Sequence, residues 1–144
     1  MPADPFYLAR FVEAQDGAIE RVRSELRGGR KTTHWIWYIF PQLKCLGQSA
    51  MSEHFGLSGL DEARAFLAHP VLGPRLLDCI ELVLAARPSS IEAMFGTPDH
   101  MKFHSCLTLF AEASASVPLF GEALATFFDG QRDGATLRLL AHSP

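Results

Sequence analysis

The chain has 144 residues, of which 48% are hydrophobic and 20% are charged, and its formal net charge is −3. This length and composition are typical of one globular domain. A chain of this size buries roughly 70% of its unfolded surface, so folding requires neither a metal nor a disulfide. The negative net charge argues against a nucleic-acid partner.

The cysteines and the ends of the chain indicate the compartment. Cys45, Cys79 and Cys106 are widely spaced and form no CxxC motif, which is typical of reduced thiols in a cytoplasmic protein. The first residues contain neither a basic cluster nor an apolar run, so no signal peptide is expected. No apolar stretch approaches the ~20 residues of a transmembrane helix, so no membrane partner is expected either.

The first quarter of the chain predicts two helices. Asp4-Pro5 is a helix start, because Asp accepts from free backbone N–H groups and Pro suits the first helical position. Apolar residues then recur at helical spacing across residues 19–26. Gly28-Gly29 ends this second helix, since glycine takes the left-handed cap conformation without strain.

The next stretch, residues 28–42, contains both tryptophans, a histidine and the cationic pair Arg30-Lys31. Thr32 or Thr33 can cap a short helix here, and Pro41 ends it. A strand is the alternative, because tryptophan, isoleucine and tyrosine favour strands. We prefer the helix, because no other segment alternates with period two and a lone strand has no partner.

The rest of the chain predicts helix after helix, joined by short turns. Further helix starts occur at Ser49, Ser58–Asp61, Pro74, a Ser89–Glu92 capping box, Thr97–Asp99, Pro118 and Asp133. The helix after Pro74 is the longest and most apolar, and we expect it at the centre of the core. The sequence therefore predicts an all-α fold, with residues 1–144 forming a single compact domain of eight to ten short-to-medium helices in an irregular array.

A basic segment is the first candidate site. Six basic residues and one acidic residue, Glu25, lie between positions 21 and 44, a local charge of +5. Arg30 and Lys31 precede the short helix, where free N–H groups favour an anion. His34 is close by, and Trp35 or Trp37 could stack a ring. The alternative is that the cations complement a helix C-terminus and the tryptophans anchor the core.

Metal and cysteine chemistry receive less support. His100 and His104 are four apart, as in half of a zinc site, but Met101 stands where such a motif requires Glu, so no metal is predicted. Cys45, beside Lys44, is the cysteine whose neighbour could activate it. Phosphate-binding loops and dinucleotide fingerprints are not found in the sequence, and no cofactor is predicted.

Three blocks of the sequence resemble one known family. They are residues 29–43 with the tryptophans, residues 69–77, and residues 94–102 continuing to 108–110. Together they are similar to the family called domain of unknown function 1810, over nearly the whole chain. The resemblance implies an all-helical domain, mostly bacterial, without an established biochemical role. The residues that match the polar pattern of this family are Arg30, His34, Trp35, Trp37, Gln42, Ser49, His69, Arg75, Asp99, Lys102 and Ser105.

Two classes of function follow. The first is binding, or enzymatic conversion, of a small anionic ligand that is nucleotide-like or phosphorylated. The ligand-binding residues would be Arg30, Lys31, Trp35, Trp37, Gln42, Ser49, Arg75, Lys102 and Ser105. If chemistry occurs, His34 or His69 would be the catalytic acid or base, because histidine titrates near neutral pH.

The second class is a protein-interaction domain that docks an acidic partner through its basic face. The two classes are separated by whether Arg30, His34, His69, Arg75 and Lys102 converge on one concavity; if these residues scatter, the ligand-binding class as stated fails. A monomer and a homodimer both fit the sequence.

Overall fold

The computed structural model describes residues 3–142, and within this range the chain is helical and has no β-strand. The predicted all-α fold of short and medium helices is confirmed. None of the helices in this range is long and apolar enough to cross a membrane. In chain order the helices are α1 (Ala9–Asp16), α2 (Ile19–Arg27), α3 (Ile36–Ile39), α4 (Ala50–Phe55), α5 (Leu60–Ala68), α6 (Leu72–Ala86), α7 (Ile91–Phe95), α8 (Asp99–Ala113), α9 (Pro118–Phe128) and α10 (Gly134–Ala141).

Helix α8 lies at the centre of the core. It packs against α5, α7, α9 and α10, and its Phe103, Leu107 and Phe110 are fully buried. The expectation that α6 would be the central helix is therefore wrong. The sequence does not indicate this central position, because α8 contains polar residues. Ser105 and Thr108 are nevertheless buried, and their hydroxyls donate to carbonyls one turn earlier in the helix.

Helix α1 starts later than the sequence predicts. Its first residue is Ala9, not a residue next to Pro5. The Asp4 carboxylate accepts from the backbone N–H of Leu8 at 2.7 Å and of Ala9 at 3.0 Å, while Tyr7 takes a positive φ of 53°. Asp4 thus satisfies the free donors of the helix from four residues before it, as a cap does.

Some of the other helix starts agree with the sequence-based predictions, and some differ from them. Ser49, Pro118 and Asp133 start α4, α9 and α10 as expected. Helix α6 begins at Leu72, ahead of Pro74. Ser90 caps α7 without a capping box, because its hydroxyl accepts from the Ala93 N–H and Glu92 is exposed.

A buried ion pair joins α1 to α5. Arg10 Nη2 lies 2.9 Å from Glu62 Oε2, and both side chains are almost fully buried. The same guanidinium donates to the carbonyls of Phe6, Tyr7, His54 and Gly56. A buried charge is tolerated when it is paired and its remaining donors are satisfied, as here.

The Glu25 carboxylate holds the tryptophan segment against α2. Its Oε1 accepts from the backbone N–H of Thr32 at 2.7 Å and of Thr33 at 3.0 Å, and from Trp35 Nε1 at 3.0 Å. Its Oε2 accepts from Thr33 Oγ1 at 2.5 Å. The expected capping of α3 by Thr32 or Thr33 is therefore wrong: Trp35 occupies the N-cap position, and α3 has no side-chain cap.

These hydrogen bonds control the ionisation of Glu25. Burial by itself raises the pKa of the carboxyl, but the bonds from Thr33, Thr32 and Trp35 outweigh it and lower the pKa from 4.5 to about 2. A carboxyl whose pKa is lower in the folded state stabilises the fold above its unfolded pKa. That contribution is lost as the pH falls through the folded pKa.

We expect Glu25→Gln to lower the free energy of unfolding at pH 7 by about 2 to 3 kcal/mol. The glutamine side chain places an NH2 group, which cannot accept a hydrogen bond, where a carboxylate oxygen now accepts from the segment. Urea unfolding measures the effect. The matched control is Glu20→Gln on the same helix, whose carboxylate is 83% exposed and pairs only with Arg23. The difference in free energy of unfolding between wild type and Glu25→Gln should decrease as the pH is lowered from about 5 to about 2. A pH-independent difference would contradict the assigned role of the carboxylate.

Candidate functional site

Several of the residues selected from the sequence meet at one cleft, which we call the Lys102 cleft. It has a volume of about 230 Å³ and lies between the segment after α3, the start of α8 and the start of α10. The residues that define it are Gln42, Leu46, Met101, Lys102, Ser105 and Asp133. Gln42, Lys102 and Ser105 were predicted ligand-binding residues, and they lie up to 63 positions apart in the sequence.

A small inner void adjoins this cleft. Its volume is about 10 Å³, close to that of one water molecule, and it shares Gln42 and Lys102 with the cleft. Trp37 also lines the void, and its Nε1 is buried without a hydrogen-bond partner among residues 3–142. An indole N–H left unpaired in the interior costs about 1–3 kcal/mol, so an acceptor at this position would be favourable.

The backbone on the α3 side of the cleft is fixed by a bridge between two extended segments. Leu43 pairs with Leu57 in a parallel bridge, in which Lys44 N–H donates to Leu57 O and Leu57 N–H donates to Gln42 O, both at 2.9 Å. Gly56, at the inner void, cannot carry a side chain, because a Cβ would overlap the backbone of Lys44. These contacts hold Gln42 opposite α8.

The charge of the cleft comes from two lysines that share one carboxylate. Lys31 Nζ lies 2.7 Å from Asp99 Oδ2, and Lys102 Nζ lies 3.7 Å from Asp99 Oδ1. Each ammonium also lies over an indole ring, Lys31 at 5.1 Å from the Trp35 centroid and Lys102 at 5.4 Å from the Trp37 centroid. Lys31 is 5% exposed and Lys102 is 21% exposed, so of the two ammonium groups it is Lys102 that faces the cleft.

A carboxylate lies on the other side of the cleft. Asp133 Oδ2 accepts from Thr136 N at 2.9 Å and Thr136 Oγ1 at 2.6 Å, and it lies 3.2 Å from the Ser105 hydroxyl. The Asp133 N–H in turn donates to Thr108 Oγ1 at 2.8 Å. Sequence reasoning found Asp133 only as a helix cap. No local feature of the sequence indicates that Asp133 also lies at the cleft, because its contact with Ser105 joins residues that are 28 positions apart.

Ser49 reaches this region indirectly. Its hydroxyl caps α4 by accepting from Ser52 N at 3.1 Å, and it donates to the Ser52 hydroxyl at 3.0 Å. Ser52 lines the inner void. Trp35 is fully buried in the core, where its ring packs against Phe40 and Phe95. It supports the site without lining it.

The two predicted catalytic histidines lie elsewhere. His34 is exposed and makes no side-chain hydrogen bond or ion pair within residues 3–142. His69 Nδ1 accepts from the N–H groups of Val71 at 3.1 Å and Leu72 at 3.3 Å, which places this ring as a cap at the start of α6. His69 also lines an apolar groove of about 720 Å³ beside α1 and α5.

The remaining predicted cations are also dispersed. Arg30 is exposed and has no side-chain partner among the described residues, while Arg75 pairs with Asp16 at 3.0 Å. Arg30, His34, His69, Arg75 and Lys102 therefore do not converge on one concavity: of these five, only Lys102 lies at the cleft. A ligand site that combines all five residues is excluded, and a ligand site at the cleft depends on Lys102 and a different set of residues. The positions of these residues depend on long-range packing, because helical spacing within each segment does not determine where the segments meet.

The described part of the chain gives little support for metal binding or for a reactive cysteine. Within residues 3–142 no three histidine, cysteine or acidic side chains are grouped as metal ligands. Burial raises the pKa of Cys79 to about 12, and burial also raises the pKa of Cys106 well above its ordinary value. Both thiols are therefore packed in the core as neutral groups. Cys45 is exposed in the turn Lys44–Leu46.

Comparison with known proteins gives a consistent family assignment. No curated protein sequence matches the chain. The crystal structure of the conserved hypothetical protein Rv1873 from Mycobacterium tuberculosis is 46% identical, with a TM-score of 0.95. The match covers 97% of this chain and all of the mycobacterial chain. Residues 5–140 match the family described as "Protein of unknown function (DUF1810)". The chain belongs to the DUF1810 family.

Proposed function

We propose that this protein binds a small anionic ligand in the Lys102 cleft. The observation that carries the proposal is the pairing of two lysines with one carboxylate. Lys31 and Lys102 both contact Asp99, at 2.7 Å and 3.7 Å, which leaves these three side chains with one positive charge in excess on the Lys102 side of the cleft, across from Asp133. A phosphate or carboxylate group placed near Lys102 Nζ would lie against this excess positive charge.

Hydrogen-bond donors around Lys102 support the same ligand class. The unpaired Trp37 N–H and the Gln42 side-chain amide belong to the inner void that Lys102 also lines. Each can donate to an anionic oxygen, either directly or through the single water that the void can hold. Asp133, on the other side, would accept from a hydroxyl or amine of the ligand.

The size of the cleft limits the range of ligands that it could bind. Its volume of about 230 Å³ is below the ~300–1,000 Å³ of typical sites for drug-sized molecules. The nucleotide-sized ligand expected from the sequence is therefore replaced by a compact one, such as a small phosphorylated or carboxylated hydroxy compound. Neither His34 nor His69 lines the cleft, so we assign it binding rather than acid–base catalysis.

A thermal-shift screen tests this proposal. Inorganic phosphate, sulfate, small sugar phosphates and hydroxycarboxylates are added to wild type and to Lys102→Gln. A ligand at about 100 times its Kd should raise the wild-type Tm by about 9 °C. We expect this rise to vanish in Lys102→Gln, because the substitution removes the ammonium group that would contact the anion. The Tm without ligand checks that the variant is folded.

Two control variants locate the effect. Lys44→Gln removes an exposed lysine that pairs with Glu53, and Arg30→Ala removes the exposed cation of the basic segment. Both should keep the full ligand-induced rise. If Arg30→Ala loses the rise while Lys102→Gln keeps it, the ligand binds at the basic segment and the Lys102 cleft is not the site. A full panel without any wild-type shift would also contradict the proposal.

A second candidate function is docking of an acidic partner through the exposed basic residues at positions 27–34, namely Arg27 and Arg30, with His34 beside them in the sequence. What favours it is that all three are exposed and make no side-chain ion pair within residues 3–142. Exposed unpaired cations attract acidic surfaces in a salt-dependent way.

We expect the double substitution Arg27→Glu with Arg30→Glu to abolish low-salt binding of an acidic polypeptide such as polyglutamate, measured by fluorescence anisotropy, because it reverses the charge at both arginines. The control, Arg64→Glu, reverses the charge of an exposed arginine on α5. Equal loss in both variants would indicate a response to net charge alone and would exclude these residues as the docking surface.

A further inference from the structure

A second groove borders the Lys102 cleft at Met101. It has a volume of about 650 Å³ and is formed by the connection between α6 and α7, by α8 and by the end of α9. Its chemically active lining consists of Arg87, Ser90, Glu92, His100, His104 and Phe128. Met101, which is 58% exposed, borders both cavities. The volume lies within the range of sites that hold drug-sized molecules.

A flat aromatic platform forms one wall of this groove. The His104 ring stacks on the Phe128 ring with centroids 4.0 Å apart and planes 7° apart. His104 Nε2 lies 2.7 Å from the Gln131 carbonyl oxygen, so this nitrogen carries the hydrogen and the ring is held in one orientation. A fixed, partly exposed planar surface favours stacking of a second ring.

The positive charge of the groove comes from Arg87. This residue ends α6 in the left-handed conformation, with φ of 48°, and is exposed. Its guanidinium makes no ion pair or hydrogen bond within residues 3–142, unlike that of Arg75 or Arg10. An unpaired guanidinium presents a planar fork of donors that matches a phosphate or carboxylate.

Polar groups near Arg87 add donors and an acceptor. Ser90 Oγ accepts from Ala93 N–H at 2.9 Å, which leaves its own hydrogen available. His100 Nδ1 lies 3.2 Å from the Gly96 carbonyl oxygen, and its Nε2 lies 4.0 Å from Glu92 Oε1. Glu92 is 72% exposed and also lines the groove, where it can accept from a hydroxyl or amine of a ligand.

We infer that this groove binds a ligand that joins an aromatic ring to an anionic group, with the ring on the His104–Phe128 platform and the anion on Arg87. This is a second site, which shares only Met101 with the Lys102 cleft and does not depend on the function proposed for that cleft. The inference combines the two features that the groove has and the cleft does not, the stacked platform and the unpaired arginine.

Titration of the full chain with phenyl phosphate, followed by amide NMR, tests the inference. We expect saturable binding at least ten times tighter than that of inorganic phosphate or of benzyl alcohol, since each of these supplies only one half of the ligand. The amide shifts should concentrate at residues 87–92, 100–104 and 126–128. Shifts concentrated at residues 42–46 and 133–135 would place the ligand in the Lys102 cleft and overturn the inference, as would the absence of saturable binding.

Variants give an independent readout. Arg87→Gln, which keeps a long polar side chain at the same backbone position, should weaken phenyl phosphate binding at least ten-fold. Arg27→Gln, at an exposed and equally unpaired arginine, and Lys102→Gln should stay within two-fold of wild type. Arg87→Gln within two-fold of wild type would overturn the inference. Loss of binding in Lys102→Gln alone would overturn it too, and would assign the ligand to the other cavity.

Discussion

The fold around the tryptophan segment depends on one carboxylate. Glu25 accepts four hydrogen bonds from residues 32–35, and one of them comes from the indole of Trp35, which is fully buried. Residues 29–34 belong to no helix or strand. The N–H groups of residues 29–31 donate to backbone carbonyls, and the carboxylate accepts from those of Thr32 and Thr33. With the bond from the Trp35 indole, the carboxylate fixes where Trp35 enters the core and where α3 begins. The segment that looks like a binding loop in the sequence is thus first an anchored connection.

This anchoring reaches the Lys102 cleft through short, identifiable contacts. The segment held by Glu25 includes Lys31, whose ammonium pairs with Asp99 at the start of α8. Asp99 is in turn 3.7 Å from Lys102, and Lys102 lies over the ring of Trp37 in α3. The cleft therefore joins two regions that are distant in the sequence, and α8 contributes both to the centre of the core and to the wall of the site. Its polar residues explain why it looks less central than α6 in the sequence.

Local features of the fold could be predicted from the sequence, and the assembly of the site could not. The starts of α4, α9 and α10 at Ser49, Pro118 and Asp133 depend on neighbouring residues, and these were predicted correctly. The position of Lys102 opposite Gln42 depends on how α3, α8 and the Leu43–Leu57 bridge pack, which no spacing rule contains. His69 illustrates the same limit, because a histidine that caps a helix and a histidine that transfers a proton look alike in a sequence.

Counting cations in the sequence points to the basic segment, whereas both proposed sites lie elsewhere, and the reason is pairing. An anion gains most where positive charge is not already neutralised by the protein's own carboxylates. Arg75, Arg10 and Lys31 each lie within 3.0 Å of a carboxylate oxygen, so they offer little to a ligand. Lys102 shares the carboxylate of Lys31, and Arg87 pairs with no carboxylate among residues 3–142. Both of these residues line cavities, whereas Arg30, also unpaired, lies on open surface where water screens it. Incomplete pairing inside a concave surface, rather than local charge density, is therefore the feature that selects the Lys102 cleft and the Arg87 groove.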